Sequence, residues 1–225
     1  MIAHPGKSGE ARDRREPAPG RRRPGRPRLQ APSVEYLERR SEILAKASEV
    51  FDARGYDAGT LEDVAAAMGM RKAGLYHYVR SKSHLLFLLF DRAWQLGFDR
   101  IADIPAIQDP GERLAALIRT HVTLVCEQKS LFTVFFGHRP RFDDAAETVF
   151  AERERRYVGV FARAVRDAGE AGLVPAVDPL QGAMAIIGMT SWVYKWYEPG
   201  GATPQQIGDD FVRLVLGRRP AGPAG

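Results

Sequence analysis

The stretch from Arg71 to Lys82 contains basic and hydrogen-bonding side chains and no acidic residue. Arginine and lysine donate hydrogen bonds to guanine or to phosphate, and tyrosine donates to phosphate. Alanine can pack against the methyl group of thymine, and histidine can contact either a base or a phosphate. This chemistry predicts contact with DNA, with a charged solvated face as the alternative. The side chains concerned are Arg71, Lys72, Ala73, Tyr76, His77 and Lys82.

Two short helices joined at a glycine would position these side chains. Thr60 and Asp63 have the spacing of a capping box at a helix N-terminus. Gly69 suits the left-handed conformation that ends such a helix. A second short helix can then begin near Arg71 and direct Leu75 inward. A basic, exposed second helix after a tight glycine turn is what entry into a DNA major groove requires.

Longer helices are predicted on both sides of this unit. Ser33 can cap a first helix that runs to about Arg54, where Gly55 ends it. After the basic stretch, a densely apolar helix runs from Ser83 to about Ala102. Its leucines lie on more than one face, so more than one face must pack against other helices. This helix would connect the basic unit rigidly to the rest of the chain.

The remaining chain contains repeated signals for helix starts. Asp109-Pro110, Asp178-Pro179 and Thr203-Pro204 each place a capping residue before a proline, which the first helical position tolerates. No alternating apolar pattern predicts a strand. The predicted helices span residues 110–127, 130–137, 143–169, 179–197 and 204–216. We therefore expect an all-α protein of about nine helices.

Composition limits the class of protein. The 225 residues are 44% apolar, which is enough to bury one large core or two smaller ones. Cys126 is the only cysteine, so an internal disulfide is excluded and a reducing compartment is favoured. The longest apolar run, Ala183 to Tyr194, is too short to span a bilayer, and residues 1–10 lack a hydrophobic leader. We expect a soluble, cytoplasmic protein.

Positive charge is concentrated near the N-terminus. Residues 1–32 contain nine Lys or Arg and three acidic residues, a net charge of +6, whereas the rest of the chain carries −1. Within this arm, Arg21 to Arg28 contains a Gly-Arg-Pro sequence that resembles an AT-hook. The resemblance would place Arg26 in a narrow minor groove, where negative potential is concentrated. The alternative is a disordered tail that only adds solubility.

The segment from Arg39 to Leu86 resembles the DNA-binding domain of the tetracycline-repressor (TetR) family. The matching positions are Ile43, Leu44, Ala47, Phe51, Gly55, Tyr56, Thr60, Val64, Ala65, Gly69, Leu75, Tyr76, Tyr78, Ser81 and Lys82. This resemblance implies that residues 71–77 form the recognition helix. It also implies that Thr60, Tyr76 and Lys82 meet phosphates.

The front of the implied recognition helix departs from the family pattern. Arg71 stands where a Ser or Thr often caps the helix, an exchange that costs about 1 kcal/mol of helix stability. Ala73 replaces a frequent glycine, and Gly74 replaces a frequent Thr or Ser that touches the DNA backbone. The base preference of a relative therefore cannot be transferred to this chain.

The segment from Ser191 to Gly201, with the helix through Phe211 to Leu216, resembles the branch that regulates fatty-acid and steroid catabolism. Members of that branch respond to acyl-CoA thioesters, so the resemblance implies a small hydrophobic effector, with an acyl-CoA as the hypothesis. Aromatic walls are typical of such cavities, although each aromatic residue here could instead be ordinary core. The candidate ligand contacts are Trp94, Phe98, Leu117, His121, Phe132, Phe135, Phe136, Tyr157 and Phe161. Arg139 and Arg141 are candidates for holding a ligand phosphate.

Helices 179–197 and 204–216 are candidates for a homodimer interface, because small residues on the first allow another helix to approach closely. The candidate contacts are Met184, Ile187, Gly188, Trp192, Phe211 and Leu214. Two subunits would present two recognition helices to DNA half-sites about one helical turn apart. The alternative is burial of these residues within one subunit.

The expected function is transcriptional regulation, most simply by a repressor that a hydrophobic ligand releases from double-stranded operator DNA. An architectural DNA-binding protein without ligand response is the alternative. An enzyme is not expected, because no catalytic or metal-binding arrangement is visible, and neither a cofactor nor a membrane partner is implied. The expected segments are a disordered basic arm (1–32), a helix-turn-helix domain (33–82), a ligand-binding and dimerisation domain (83–217) and a disordered tail (218–225).

Overall fold

The computed structural model describes residues 33–138 and 142–217, and these residues form helices and no β-strand. The helices are α1 (Val34–Arg54), α2 (Leu61–Ala67), α3 (Lys72–Leu75), α4 (Lys82–Ile101), α5 (Pro110–Glu127), α6 (Lys129–Gly137), α7 (Asp144–Glu170), α8 (Pro179–Ser191), α9 (Val193–Trp196) and α10 (Pro204–Leu216). A 3-10 turn, Ile104–Ala106, lies between α4 and α5. The all-α prediction is confirmed, and α9 is a single turn that follows α8 after a break at Trp192. Arg26, with the rest of the basic arm, Arg139, Arg141 and the C-terminal tail lie outside the described residues.

Local sequence sets where several helices begin. Thr60 Oγ1 accepts a hydrogen bond from the Asp63 backbone N–H at 3.1 Å, and the Thr60 N–H donates to the Asp63 carboxylate at 2.9 Å. Thr203 forms the same reciprocal box at the start of α10. Asp109 and Asp178 each accept from the backbone N–H three residues ahead. These bonds satisfy amides that a helix N-terminus otherwise leaves without a partner.

The N-terminal unit (residues 34–81) packs α1, α2 and α3 around a small core. Gly55 ends α1 with a φ of +77°, and Gly69 ends α2 with a φ of +62°. These are left-handed conformations that glycine adopts without a steric penalty. Phe51 from α1 and Leu75 from α3 are only 1% and 0% exposed, so the basic stretch is anchored to the core.

The C-terminal bundle (residues 82–138 and 142–217) is organised around α5, which packs against α4, α7, α8 and α10. Several apolar residues along α5 are completely buried: Leu114, Leu117, Ile118, Val122 and Val125. A helix that is apolar over most of its surface needs such neighbours on several sides. Two helices connect the bundle to the N-terminal unit, because α4 begins directly after the unit and α6 packs on α1. Among the described residues, no helix has the length and apolar character needed to cross a membrane.

The predicted recognition helix is shorter than expected. Only Lys72–Leu75 has α-helical geometry, and the residues from Tyr76 to Tyr78 continue as tight turns. Two local causes account for this difference. Arg71 makes no side-chain cap to the helix, and Gly74 has a helix propensity about 1 kcal/mol less favourable than alanine.

Candidate nucleic-acid interface and ligand cavity

The basic stretch presents most of its candidate DNA contacts to solvent. The exposed residues are Arg71, Lys72, Ala73, Tyr76 and His77. Leu75, in their midst, is completely buried and fixes α3 to the core of the N-terminal unit. A short helix with one buried anchor therefore carries basic and hydrogen-bonding groups outward, as docking in a groove requires.

The turn between α2 and α3 is held by the backbone and by a close contact at Gly74. The Met70 N–H donates to the Ala65 carbonyl at 2.9 Å, directly after the left-handed Gly69. A β-carbon on Gly74 would lie 3.0 Å from the terminal methyl of Met70. Glycine at this position therefore lets the Met70 side chain pack directly against α3.

The sequence pattern missed an acidic side chain that α2 brings to α3. The Lys72 ammonium donates to the Glu62 carboxylate in an ion pair, and it lies 5.8 Å from the centroid of the Tyr76 ring. The hydrogen bond between the Lys72 ammonium and the Glu62 carboxylate lowers the pKa of Glu62 and raises the pKa of Lys72. Because both groups are exposed, solvent screens their attraction. Contact of Lys72 with DNA requires it to exchange this carboxylate for a base or a phosphate.

Two predicted phosphate contacts, Thr60 and Lys82, are engaged within the protein. The Thr60 hydroxyl donates to the Asp63 carboxylate at 2.8 Å while it caps α2. Lys82 Nζ donates to the Asp57 carbonyl at 2.9 Å and lies 4.5 Å from the centroid of the Tyr56 ring. Since an ammonium has three N–H donors, Lys82 retains donors for a phosphate, whereas the hydroxyl proton of Thr60 is used in the cap.

A cavity of about 410 Å³ lies in the C-terminal bundle between α4, α6, α7 and α8. Its volume falls within the range of small-molecule sites, about 300–1,000 Å³. The walls are mainly aromatic, and five of the predicted ligand contacts belong to them: Trp94, Phe132, Phe135, Phe136 and Tyr157. These rings also pack on one another, with Trp94 meeting Phe135 edge to face at 5.4 Å between centroids. The sequence-predicted aromatic residues are thus partly cavity wall and partly core.

The other four predicted contacts do not line this cavity. Phe98 lies 4.7 Å from the Arg156 guanidinium and packs against Tyr157. Leu117 lines a separate cavity of about 170 Å³. Phe161 is completely buried, and His121 is a buried core residue. Helical periodicity identified these side chains as inward-facing but could not distinguish packed core from cavity wall.

His121 belongs to a buried polar network that joins three helices. Its Nδ1 lies 2.9 Å from the Tyr157 hydroxyl, and its Nε2 lies 3.1 Å from Ser191 Oγ. Burial lowers the pKa of His121 from its ordinary value of 6.5 to about 4 and raises the pKa of Tyr157. A neutral imidazole has one donor and one acceptor, which suits two hydroxyl partners. The network therefore satisfies a buried polar group and links α5, α7 and α8.

The cavity also has polar lining residues that sequence reasoning missed: His138, Glu147 and Glu154. Glu147 accepts a hydrogen bond from the Phe142 N–H at 3.0 Å. Glu154 is exposed, and no hydrogen bond or ion pair of its carboxylate is found among the residues that the structure describes. A signal for both carboxylates existed, because Glu147, Glu154 and Tyr157 recur at helical spacing on one face of α7.

Both the N-terminal unit and the C-terminal bundle match families of known proteins. Residues 43–89 match "Bacterial regulatory proteins, tetR family", and residues 108–218 match "Tetracyclin repressor-like, C-terminal domain". The structure of AibR in complex with isovaleryl coenzyme A and operator DNA is 32% identical, with a TM-score of 0.71, and the match covers 79% of this chain and 98% of AibR. The chain belongs to the TetR family.

Relatives within the TetR family are DNA-binding regulators. The HTH-type transcriptional repressor KstR2 of Mycobacterium tuberculosis is 28% identical over 188 residues, which cover 80% of this chain and 92% of KstR2. The structure of the ketosteroid transcriptional regulator KstR2 from that organism has a TM-score of 0.73 at 26% identity, and covers 80% of this chain and 93% of KstR2. The resemblance inferred from Arg39 to Leu86 is confirmed, and the similar proteins are transcriptional regulators rather than enzymes.

Large apolar side chains are exposed on the last helices of this TetR-family chain. Met184, Trp192 and Leu214 are 52%, 59% and 73% exposed, and Gly188 is also exposed. Ile187 and Phe211 are half-buried. Met184 and Ile187 additionally line the cavity, so α8 borders both the cavity and the exposed apolar surface. Exposed apolar surface of this kind is typical of association between proteins.

Proposed function

We propose that this protein is a homodimeric repressor that a coenzyme A thioester releases from its operator. One observation carries the proposal: a ligand-sized aromatic cavity is partly walled by α4, the helix that begins at the end of the basic stretch. The complex of the similar AibR with isovaleryl coenzyme A and operator DNA supports this class of effector. The protein would act by binding alone, without catalysis, in the cytoplasm where bacterial DNA lies.

The basic stretch supplies the proposed DNA contacts. Arg71, Lys72 and Ala73, at the front of α3, would meet base edges in the major groove. Tyr76 and Lys82 would contact phosphates and set the position of α3, and His77 would contact either a phosphate or a base. The backbone at Thr60 and Gly74 would border the phosphates. Arg26 would add a contact in the minor groove.

Ligand binding would act on DNA binding through α4 and α6. Trp94 on α4 and Phe135 on α6 both line the cavity, so a ligand touches the two helices that meet the N-terminal unit. In the first turn of α6, Ser130 Oγ donates to the Asp52 carboxylate of α1 at 2.9 Å. A ligand that prefers the DNA-incompetent arrangement would shift these contacts and change the separation of the two α3 helices in the dimer.

The exposed apolar side chains of α8 and α10, together with Trp192 at the end of α8, would form the dimer interface. We expect Trp192→Glu and Leu214→Glu to produce monomers in sedimentation velocity, because each places a charge in a contact that the proposed dimer would bury. Val177→Glu is the matched control, since Val177 is 53% exposed but precedes α8. Dimers that persist in both interface variants would contradict this assignment.

The effector class can be tested with isovaleryl-CoA and octanoyl-CoA. The DNA probe is a duplex enriched by the full-length protein from a library of randomised duplexes. We expect at least one thioester to raise the melting temperature and to weaken DNA binding in fluorescence anisotropy, because it binds the folded, DNA-free state preferentially. Phe135→Trp, which fills part of the cavity, should reduce both responses. Thioesters that change neither quantity would contradict the proposal.

A lipophilic cation is a second candidate effector, favoured by one observation. The cavity lining contains two carboxylates, from Glu147 and Glu154, and no lysine or arginine among the described residues. Aromatic faces and carboxylates together attract cations. Octylammonium and octanoyl-CoA share a similar apolar chain, so a direct comparison of their binding separates the two classes. Tighter binding of octylammonium that Glu154→Gln weakens would favour the cation.

A further inference from the structure

A side chain in the cavity wall touches the N-terminal unit directly. His138 follows the last residue of α6 and lines the cavity. Its ring lies 5.4 Å from the ring of Tyr56, centroid to centroid. Tyr56 lies in the loop between α1 and α2, directly after the left-handed Gly55. The contact joins two segments far apart in sequence, and it places one aromatic ring between the cavity and the basic stretch.

A second neighbour of the Tyr56 ring is the ammonium group of Lys82. Lys82 Nζ lies 4.5 Å from the centroid of the Tyr56 ring and 5.9 Å from that of Phe51. It also donates to the Asp57 carbonyl at 2.9 Å. Phe51 supports the Tyr56 ring edge to face at 5.3 Å between centroids. A cation over an aromatic face is attracted by the ring, so these contacts hold a flexible lysine in one position.

We propose that Tyr56 is a positioning residue for the DNA contact of Lys82, and that His138 makes this position depend on what fills the cavity. The inference rests on the proposed function, in which Lys82 contacts a phosphate. A free lysine loses considerable side-chain entropy when it binds, whereas a lysine already held by Tyr56 loses less. A ligand that displaces His138 removes one support of the Tyr56 ring and thereby loosens Lys82.

Only the ring of Tyr56 matters in this arrangement. No hydrogen bond of the Tyr56 hydroxyl is found among the described residues, whereas both His138 and Lys82 meet the ring. Tyr56→Phe should therefore preserve the function, and Tyr56→Leu should remove it. A purely structural role for Tyr56 would instead weaken DNA binding to the same extent whether or not Lys82 is present.

The first experiment measures DNA affinity over a range of salt concentrations, with no effector. We expect Tyr56→Phe to match the wild type and Tyr56→Leu to bind about fivefold more weakly, the size of effect expected for loss of a cation–π contact. Because a loosened Lys82 still brings its charge to the phosphate, the salt slope should stay close to that of the wild type in Tyr56→Leu and should fall by about one for each subunit in Lys82→Ala. In the Lys82→Ala background, Tyr56→Leu should have no further effect, because the two residues act as one unit.

Additive losses from Tyr56→Leu and Lys82→Ala would overturn the proposal, as would an equal loss in Tyr56→Phe. Circular dichroism establishes whether each variant is folded. If Tyr56→Leu does not fold, nuclear magnetic resonance of the wild-type full chain with labelled lysines tests whether Lys82 lies over the Tyr56 ring. The ε-methylene protons of Lys82 should resonate upfield of those of other lysines, because the Lys82 ammonium group lies over the face of the Tyr56 ring, where the ring current shields protons. Shifts equal to those of exposed lysines would also overturn the proposal.

The same resonance tests the connection through His138. Without ligand, His138→Ala should move the Lys82 signal towards the position of an exposed lysine. Val158→Ala, a change in the α7 wall of the same cavity, is the matched control and should leave it unchanged. An unmoved signal in His138→Ala would overturn the connection. A thioester that binds should move the signal as His138→Ala does. If neither isovaleryl-CoA nor octanoyl-CoA binds, the proposed effector class fails, while the ligand-free results still decide this inference.

Discussion

The N-terminal unit and the cavity region of the C-terminal bundle differ in how they are packed. In the N-terminal unit, Phe51 and Leu75 are almost completely enclosed. In the bundle, the rings of Trp94 and Phe135 border an empty volume of about 410 Å³. Close packing stabilises a small unit that presents a surface, whereas a cavity sacrifices contacts in order to admit a ligand.

The two regions also place their polar groups differently. In the N-terminal unit, Glu62 and Lys72 form an exposed pair on neighbouring helices. In the bundle, His121 bonds to residues 36 and 70 positions away, and all three side chains are buried. An exposed pair can exchange partners at small cost, whereas a buried neutral network fixes the helices that it joins. This difference suits the first region to binding a polyanion and the second to holding its shape.

The largest expected effect tests the difference in packing. Leu75→Ala should lower the free energy of unfolding by about 3 kcal/mol, because it leaves a void in a filled core. Phe135→Ala should cost less, about 1–2 kcal/mol, because its ring already borders open volume and loses fewer contacts. Urea unfolding followed by circular dichroism measures both. Equal losses would show that the cavity wall is packed as tightly as the N-terminal core.

The buried network predicts a loss of stability in acid. Burial lowers the pKa of His121 to about 4, whereas its ordinary value is 6.5, so the unfolded chain binds a proton first as pH falls. Stability should therefore decrease below about pH 6.5, by about 2 kcal/mol at pH 5. His121→Gln should lose this part of the pH dependence, and His77→Gln, at an exposed position, should retain it. An unchanged pH dependence in His121→Gln would contradict the assignment.

The exposed side chains predict a change in DNA affinity without a change in fold. Lys72→Ala and Tyr76→Ala should each weaken binding to the selected duplex by about tenfold, because each removes a contact to a base or a phosphate. Circular dichroism spectra should match the wild type. Gel-shift titration measures the affinity, and Arg155→Ala, at an exposed position on α7, is the control. Unchanged DNA affinity in both variants would contradict the assignment of α3 as the recognition helix.

The smallest expected effect concerns the pair between Glu62 and Lys72. Glu62→Gln should strengthen DNA binding by a few-fold. Lys72 then has no ion pair to break before it contacts DNA, and one negative charge that repels DNA is removed. Stability should change little, since both groups are exposed. A double variant, Glu62→Gln with Lys72→Ala, measures the coupling in the same titration. Weaker binding in Glu62→Gln would indicate that Glu62 positions Lys72 for DNA.

Sequence patterns identified the local features of this fold correctly. Thr60 and Asp63 form the predicted capping box, and Gly69 has the predicted left-handed conformation. These succeed because each depends on residues only a few positions apart. The length of α3 was overestimated, because Gly74 and the missing cap at Arg71 weaken a helix that only one buried anchor holds.

The amino-acid sequence by itself determined the helical class, the helix starts and the basic stretch before Lys82, because short-range hydrogen bonds and hydrophobic periodicity dictate them. Only the tertiary structure decided which inward-facing aromatic residues line the cavity and which are core. It alone placed Glu62 beside Lys72 and His138 beside Tyr56. The physical reason is that these contacts depend on how whole helices pack, and packing direction is not encoded in the spacing along any one helix.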